Sequence, residues 1–240
     1  LEGLKPVVAI YSTFLQRGYD QFIHDVCLEN IDVTFAIDRA GIVGEDGPTH
    51  TGSFDISFMR CIPNIVISCP SNEHELWHLL NICYEHKGPA AIRYPRGSGI
   101  GVQPIPNEVE GFEIGKAKKI KDGQSVCILN FGVLMDQIDQ IAEKKDYTLY
   151  DMRFIKPIDQ DALEHAMQHE TIITLEDNTL LGGCGSAVGE KLHKQKFKGN
   201  LLSIGLKDEF PAHGSRNEIL RQNGLDEESI QKTIDDFLRN

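Results

Sequence analysis

The sequence is poor in basic residues and has no long apolar run, and each shortage excludes a class of partner. Its 24 Lys and Arg face 36 Asp and Glu, so the formal net charge of the 240 residues is −12. We therefore expect no nucleic acid as a partner, because binding to a phosphate backbone needs a basic face. No apolar run approaches the roughly 20 residues that span a membrane, so we also expect no membrane segment, and we expect no signal peptide.

The six cysteines form no Cys-x-x-Cys pair, which is the common sequence signature of a zinc or redox site. Most of them lie inside apolar stretches such as IVISCP and SVCILNF, the usual surroundings of buried thiols. We expect reduced, structural cysteines and a cytoplasmic protein.

The composition, with 40% hydrophobic and 25% charged residues, is that of a globular protein. In the first 96 residues, short apolar runs alternate with segments of helical spacing. We predict strands at 5–12, 33–38, 64–69 and 89–95, and helices at 15–29 and 72–86. Such alternation is typical of βαβ units and a largely parallel sheet. A buried-type strand so close to the first residue is also what a cut through a larger domain would produce.

Residues 97–115 hold five glycines and two prolines without helical spacing, which indicates a linker. A second alternating block follows, and it opens with a Lys-Asp-Gly turn between strand-like runs, as in a β-hairpin. It predicts strands at 148–154, 171–177 and 201–206, and helices at 134–144, 159–169, 185–195, 215–224 and 226–240. We predict two doubly wound, three-layer α/β domains with mainly parallel sheets, at residues 1–110 and 111–240.

His74-Glu75-Leu76-Trp77-His78 matches the HExxH pattern, which places two imidazoles on one helix face to bind zinc. The longer HxxGxxH form is absent, and no third ligand follows at the usual spacing. We therefore favour an ordinary helix that buries its leucines and begins at a cap near Pro70-Ser71.

Two further patterns have structural explanations as well. His165 and His169 also lie one helical turn apart, and we interpret them as a solvated face. The glycine cluster LLGGCGSAVG (180–189) could hold a phosphate at a helix N-terminus, but close packing of a strand against a helix explains it better.

Polar and aromatic residues follow three of the predicted strands in the first block. Tyr11 to Phe14 leave the first strand, the loop 38–53 leaves the second, and 93–97 leave the last. Ligands of α/β sheets bind in the crevice beyond the carboxyl ends of the strands. Alone, Arg39, Arg93 and Arg96 could be surface ion-pair partners; together at strand ends they favour an anion site.

The same segments carry a resemblance to a known family. AIYSTFLQRGYDQ, FAIDRAGIVGEDGPTHTGSFD, RCIPN and RYPRG resemble the pyrimidine-binding domain of the transketolase-like 1-deoxy-D-xylulose-5-phosphate synthases. DMRFIKPID, LEDNTLLGGCGSAVGE and IGLKDEF resemble the C-terminal domain of that family, so the resemblance covers nearly the whole chain.

The resemblance implies an enzyme that uses thiamine diphosphate and Mg²⁺. In that family, pyruvate is decarboxylated and condensed with D-glyceraldehyde 3-phosphate, which gives CO₂ and 1-deoxy-D-xylulose 5-phosphate. That product is a precursor of isoprenoids, thiamine and pyridoxal. The resemblance also implies a homodimer.

The resemblance assigns roles to individual residues. It implies that Phe14 stacks on the aminopyrimidine ring, with Tyr11 and Arg17 beside it. It implies that Tyr11, Arg39 and Arg96 hold the phosphate of the acceptor, which suits the bidentate fork of arginine.

Asp46 and His50 are implied as the catalytic pair, in contact with hydroxyl or carbonyl oxygens of the substrates. His50 is implied as a proton-transfer group, since imidazole titrates near neutral pH. No metal ligand is implied in this chain.

Two elements of the family are missing from the sequence. The GDG…N motif for Mg²⁺ and diphosphate has only Glu45-Asp46-Gly47 and Lys121-Asp122-Gly123 as its nearest strings. The glutamate that bonds the aminopyrimidine would precede residue 5. We therefore expect a C-terminal part of the synthase, inactive without the N-terminal domain of the same protein. The alternatives are a β-type subunit of a 2-oxo-acid dehydrogenase and a non-catalytic oligomerisation module.

Overall fold

The computed structural model describes residues 3–102 and 112–239. The chain forms two five-stranded sheets with helices between the strands. The predicted domain boundary at residue 110, and part of the predicted linker, lie outside the described residues.

The first sheet has the order β1-β2-β4-β3-β8. Its strands are β1 (Val7–Tyr11), β2 (Thr34–Asp38), β3 (Val66–Ser68), β4 (Ala90–Arg93) and β8 (Phe154–Lys156). The first four are parallel, and β8 is antiparallel to β3. The parallel strands therefore end on one edge, and this brings their carboxyl-terminal residues together.

The second sheet has the order β10-β9-β6-β7-β5. Its strands are β5 (Lys118–Lys121), β6 (Val126–Phe131), β7 (Thr148–Asp151), β9 (Thr171–Thr179) and β10 (Asn200–Leu206). Only β5 is antiparallel. The prediction of a doubly wound α/β fold with mainly parallel sheets is confirmed.

The chain between β1 and β2 is helical but irregular. It comprises α1 (Ser12–Leu15), a 3₁₀ turn, α2 (Tyr19–Gln21) and a π-helical stretch (Phe22–Cys27). The other helices are α3 (Asp55–Met59), α4 (Glu73–Glu85), α5 (Met135–Lys145), α6 (Gln160–Ala166), α7 (Cys184–Lys194), α8 (Arg216–Gln222) and α9 (Glu227–Leu238). The sequence patterns do not predict α3. The N-terminal cap of α4 is Asn72 rather than Ser71, since the Asn72 side chain accepts a hydrogen bond from the Glu75 amide.

Two predictions about strands are wrong. The Lys-Asp-Gly turn does not form a hairpin, because β5 pairs with β7 and not with β6. The strand predicted at 148–154 is divided between the sheets: β7 belongs to the second and β8 to the first. The chain changes direction at Arg153, whose φ of 55° lies in the left-handed region and ends the extended run.

The apolar core is continuous between the sheets. One cluster of buried side chains includes Ile37 and Ile67 of the first sheet together with Leu129 and Ile172 of the second. Because the two sheets share this core, polar groups at their junction are also removed from water.

Candidate active site at the strand ends

Three rings meet beyond the end of β1. Tyr11 and Phe14 are stacked, with ring centroids 5.0 Å apart and planes 11° from parallel. The His50 ring meets Phe14 edge-on at 5.7 Å. Phe14 is 48% exposed, so its ring has open surface that a flat ligand could cover.

Arg39 is fixed above Tyr11. Its Cζ lies 3.8 Å from the centroid of the Tyr11 ring, a cation–π contact. The backbone of Arg39 has a φ of 56°, which is uncommon outside glycine. The Asp38 carboxylate accepts from the Arg39 amide and from Nη1, both at 2.6 Å, and so stabilises this conformation.

Asp46 joins two arginines. Its Oδ2 accepts from Arg39 Nε at 3.4 Å and lies 3.2 Å from Arg96 Nε. Glu45 adds a longer ion pair with Arg96 at 4.0 Å. The two guanidinium groups therefore converge on one carboxylate oxygen, and an anionic ligand could compete with Asp46 for both.

The loop that carries Asp46 and His50 is closed at its base. Gly41 and Gly52 form an antiparallel bridge, with N–H···O distances of 2.8 and 2.9 Å. At the tip, the Thr49 hydroxyl lies 2.9 Å from His50 Nδ1. The Thr13 hydroxyl donates to the Thr49 carbonyl and so links the loop to α1.

These contacts connect six of the seven residues predicted for the site: Tyr11, Phe14, Arg39, Asp46, His50 and Arg96. We call this set the rim cluster. Arg17 is exposed on the following turn and takes part in none of these contacts. A cavity of about 500 Å³ opens beyond Arg96, between residues 94–100, α4, α5 and α8.

For Arg93, the prediction of an anion site and the alternative of a surface ion pair are both wrong, because this arginine is buried between two carboxylates. It is 3% exposed. Its Nε lies 3.1 Å from Asp55 Oδ1, and its Nη1 donates to Asp177 Oδ1 at 2.7 Å. Burial raises the pKa of Asp55, against the opposing effect of Arg93. Because Asp177 belongs to the second sheet, this triad joins the two sheets.

The HExxH segment is part of the same junction and does not form a metal site. Glu75 is buried, and its carboxylate pairs with Arg153 at 2.7 and 2.8 Å. The His78 ring stacks on Phe112 at 4.4 Å. Within residues 3–102 and 112–239, no group of three potential ligands is placed to hold a metal ion. We call the Asp55–Arg93–Asp177 triad and the Glu75–Arg153 pair together the seam.

The glycine cluster supports packing rather than phosphate binding. The amides of Cys184 and Gly185, at the start of α7, donate to the Glu176 carboxylate at 2.7 and 2.8 Å. A Cβ on Gly183 would overlap that carboxylate, so the glycine allows the close packing. The carboxylate already accepts from the amides that a phosphate would need. Burial raises the pKa of Glu176 to about 7, although both amide bonds lower it.

The second histidine pair is not a solvated face. The Tyr150 hydroxyl lies 2.9 Å from His165 Nδ1, and the Thr148 hydroxyl lies 2.7 Å from His169 Nε2. Both rings are half-buried, and each contacts a hydroxyl group of β7.

The cysteines are all free thiols. Five are buried, as predicted, and Cys61 is exposed. Burial raises the pKa of Cys27 and Cys83 to about 11 and that of Cys127 to about 12. Buried thiols with raised pKa are poor nucleophiles, which agrees with a structural role. No helix in the described part of the chain is long and apolar enough to span a membrane.

Comparisons with known proteins agree with this architecture. The sequence-family model of the transketolase pyrimidine-binding domain matches residues 1–100. The sequence-family model of the transketolase C-terminal domain matches residues 115–230. A split-gene transketolase described as an inactive beta4 tetramer has a TM-score of 0.85 at 23% identity, over 98% of this chain and 76% of that one. Transketolase from Campylobacter jejuni has a TM-score of 0.72 at 19% identity, over 96% of this chain and 35% of that one. Likeness at this level shows the fold.

Sequence relatives are more informative about the family. The chain is 52% identical over 240 residues to 1-deoxy-D-xylulose-5-phosphate synthase of Idiomarina loihiensis and 53% identical over 238 residues to that of Mannheimia succiniciproducens. The two matches include 100% and 99% of this chain, respectively. The chain spans only 38% of the length of each relative. The chain therefore belongs to the transketolase family of thiamine diphosphate-dependent enzymes, and over its whole length it is similar to the 1-deoxy-D-xylulose-5-phosphate synthases.

Proposed function

We propose that this chain is the part of a 1-deoxy-D-xylulose-5-phosphate synthase that contains most of the pyrimidine-binding domain and the C-terminal domain. The observation that carries the proposal is the rim cluster. An open aromatic ring, two converging guanidinium groups, a carboxylate and an imidazole share one edge of the first sheet. This set suits a ring-bearing cofactor together with a small phosphorylated substrate.

The exposed face of Phe14 fits the aminopyrimidine of thiamine diphosphate, because a stacked aromatic pair offers a rigid, flat surface. When bound, thiamine diphosphate supplies the electron sink for decarboxylation and carbon–carbon bond formation. The described residues provide no cluster for Mg²⁺. We propose that the preceding domain of the same protein holds Mg²⁺ and the diphosphate.

Arg39 and Arg96 bind the phosphate of D-glyceraldehyde 3-phosphate in this proposal, with Tyr11 beneath Arg39. The Asp46 carboxylate already holds both guanidinium groups within 3.4 Å of one point. A phosphate replaces that carboxylate with more charge and more acceptor oxygens, so it can bond both arginines at once. Asp46 is then released to accept from a substrate hydroxyl.

His50 carries out proton transfer in this proposal. Its Nδ1 faces the Thr49 hydroxyl, so Nε2 is the nitrogen available to a substrate oxygen. A neutral imidazole can accept a proton from a hydroxyl, and the imidazolium so formed can donate it to a carbonyl oxygen. The contact with Phe14 places this ring beside the proposed cofactor surface.

The test is a steady-state assay with pyruvate, D-glyceraldehyde 3-phosphate, thiamine diphosphate and Mg²⁺. The full reading frame that contains this sequence should produce 1-deoxy-D-xylulose 5-phosphate, and residues 1–240 alone should not. Turnover by residues 1–240 alone would overturn the proposed division of the site. A full protein that makes no such product would overturn the proposed function.

We further propose a homodimer for the full protein. Analytical ultracentrifugation should show two copies, and a strict monomer at micromolar concentration would contradict it.

A further inference from the structure

The loop of Asp46 and His50 rests on the C-terminal half of the chain. Three of its glycines, Gly41, Gly44 and Gly47, have positive φ angles of 74°, 65° and 70°. A Cβ on Gly44 would lie 2.8 Å from the Arg216 amide nitrogen, and one on Gly47 would lie 3.3 Å from the His213 ring. At Gly44 the close approach is to backbone and leaves no space for a side chain, and at Gly47 the positive φ favours glycine.

The base of the loop lies directly on β9. A Cβ on Gly41 would overlap the Asp177 carboxylate, so the two residues are in close contact. The Thr179 amide donates to the Ser53 carbonyl at 2.8 Å, at the other end of the loop. Both ends of the loop base therefore contact a strand of the second sheet.

Asp177 is itself held in one place. It is 1% exposed, and its Oδ1 accepts from Arg93 Nη1 at 2.7 Å. Arg93 also holds Asp55, which starts α3 just after the loop, and it precedes Arg96 of the rim cluster by three residues. The carboxylate therefore lies at a junction between the loop, the end of β4 and the second sheet.

We propose that Asp177 is a positioning residue for Asp46 and His50. Arg93 holds the Asp177 carboxylate in place, and this carboxylate supports the loop at Gly41. Asp177 does not touch the rim cluster and acts through the loop. Errors of about 1 Å in the position of a catalytic group cost on the order of a hundredfold in rate. That this geometry serves synthase chemistry rests on the proposed function, but the support of the loop does not.

The first test compares Asp177→Asn with Glu75→Gln. Both variants replace a buried carboxylate that is paired with a buried arginine. Only Asp177 contacts the loop. In the 240-residue chain, amide hydrogen exchange of residues 44–50 should accelerate at least tenfold in Asp177→Asn and less than twofold in Glu75→Gln, with the amides of β6 unchanged in both.

The second test moves the loop from its own side, in case Asp177→Asn does not fold. Gly41→Ala places a methyl group against Asp177, whereas Gly97→Ala adds one at a positive φ of 134° with open space around it. Amide hydrogen exchange of the loop should accelerate in Gly41→Ala and stay unchanged in Gly97→Ala. Equal loop exchange in the two members of either pair would overturn the proposal.

In the full protein, Asp177→Asn should lower kcat about tenfold and leave the KM for pyruvate within twofold. Loss of binding alone, with kcat unchanged, would contradict positioning. If the full protein lacks synthase activity but the loop exchange changes as expected, the proposed function fails and the positioning role stands.

Discussion

The rim cluster and the seam use the same residue types for opposite purposes. Arg93 and Arg96 are three residues apart, yet the Arg93 side chain is 2% exposed and that of Arg96 is 39% exposed. Arg93 has two buried carboxylates as permanent partners, whereas Arg96 shares a half-exposed one with Arg39. A buried arginine cannot be given up without leaving charges unpaired in a medium of low polarity. An exposed one can change partners, and this is what binding an anion requires.

The largest expected difference between the two regions is in stability. Arg93→Ala leaves Asp55 and Asp177 buried without their cation, so we expect a loss of about 3–5 kcal/mol in the free energy of unfolding. Arg96→Ala should cost less than about 1 kcal/mol, because water replaces the lost contact. Urea unfolding of the 240-residue chain, followed by circular dichroism, measures both. Equal losses of unfolding free energy in the two variants would contradict the proposed difference between the seam and the rim cluster.

The second expected effect is a dependence of stability on pH, and it arises at Asp151, a buried carboxylate close to Glu75 of the seam. Burial raises the pKa of Asp151 to about 7, and the nearby Glu75 adds to this. The folded chain therefore keeps this proton up to pH near 7, while the unfolded chain loses it near pH 4. Because the unfolded state binds fewer protons in between, the contribution of Asp151 to stability should fall by roughly 4 kcal/mol from pH 4 to 7 and level off above.

Asp151→Asn is the matched variant for that slope. The amide keeps the shape of the side chain and an oxygen acceptor for the Arg153 amide. The Ser71 hydroxyl, which donates to Asp151 Oδ2, would instead accept from the new amide nitrogen. Unfolding free energies measured at intervals from pH 4 to 8 should show a flatter profile than the unchanged chain. An identical slope in the variant would show that other groups cause the pH dependence.

The third effect is on substrate binding at the rim. In the full protein, Arg96→Ala should raise the KM for D-glyceraldehyde 3-phosphate about ten- to a hundredfold, since a charged contact contributes roughly 1.5–3 kcal/mol. The KM for pyruvate should change far less. Lys198→Ala, at an exposed lysine of the C-terminal half, is the control and should change neither. Equal increases for both substrates would make Arg96 a structural residue.

The smallest expected effect is that of metal removal. Glu75 pairs with Arg153, and the described residues offer no metal-binding group. Dialysis against EDTA should therefore leave the unfolding midpoint of the 240-residue chain within error. If EDTA lowered the unfolding midpoint and zinc restored it, the HExxH segment would be a metal site and not part of the seam.

The sequence located the rim residues because each follows a strand of a parallel sheet, and such strands end on one edge. The pattern could not show that Asp46 pairs with both Arg39 and Arg96, because the contact depends on the path of a loop with no periodic signal. Arg17, which the family resemblance grouped with these residues, lies apart from their contacts.

The seam was beyond the reach of sequence patterns. Asp55 and Asp177 are 122 positions apart, and nothing local marks either as a partner of Arg93. The histidines of the HExxH segment are equally misleading, since their helical spacing fits a zinc site and a packed face alike. Only the neighbouring elements, Phe112 and Arg153, decide between the two.

By itself, the sequence determined the alternation of strands and helices, the mainly parallel sheets and the edge at which the rim cluster collects. These properties follow from the periodicity of apolar residues, which is local. Tertiary structure alone decided that β8 joins the first sheet, that Arg93 is buried while Arg96 is not, and that Asp177 supports the loop of Asp46 and His50. The reason is that burial and charge pairing depend on which distant segments meet, and a one-dimensional pattern does not carry that information.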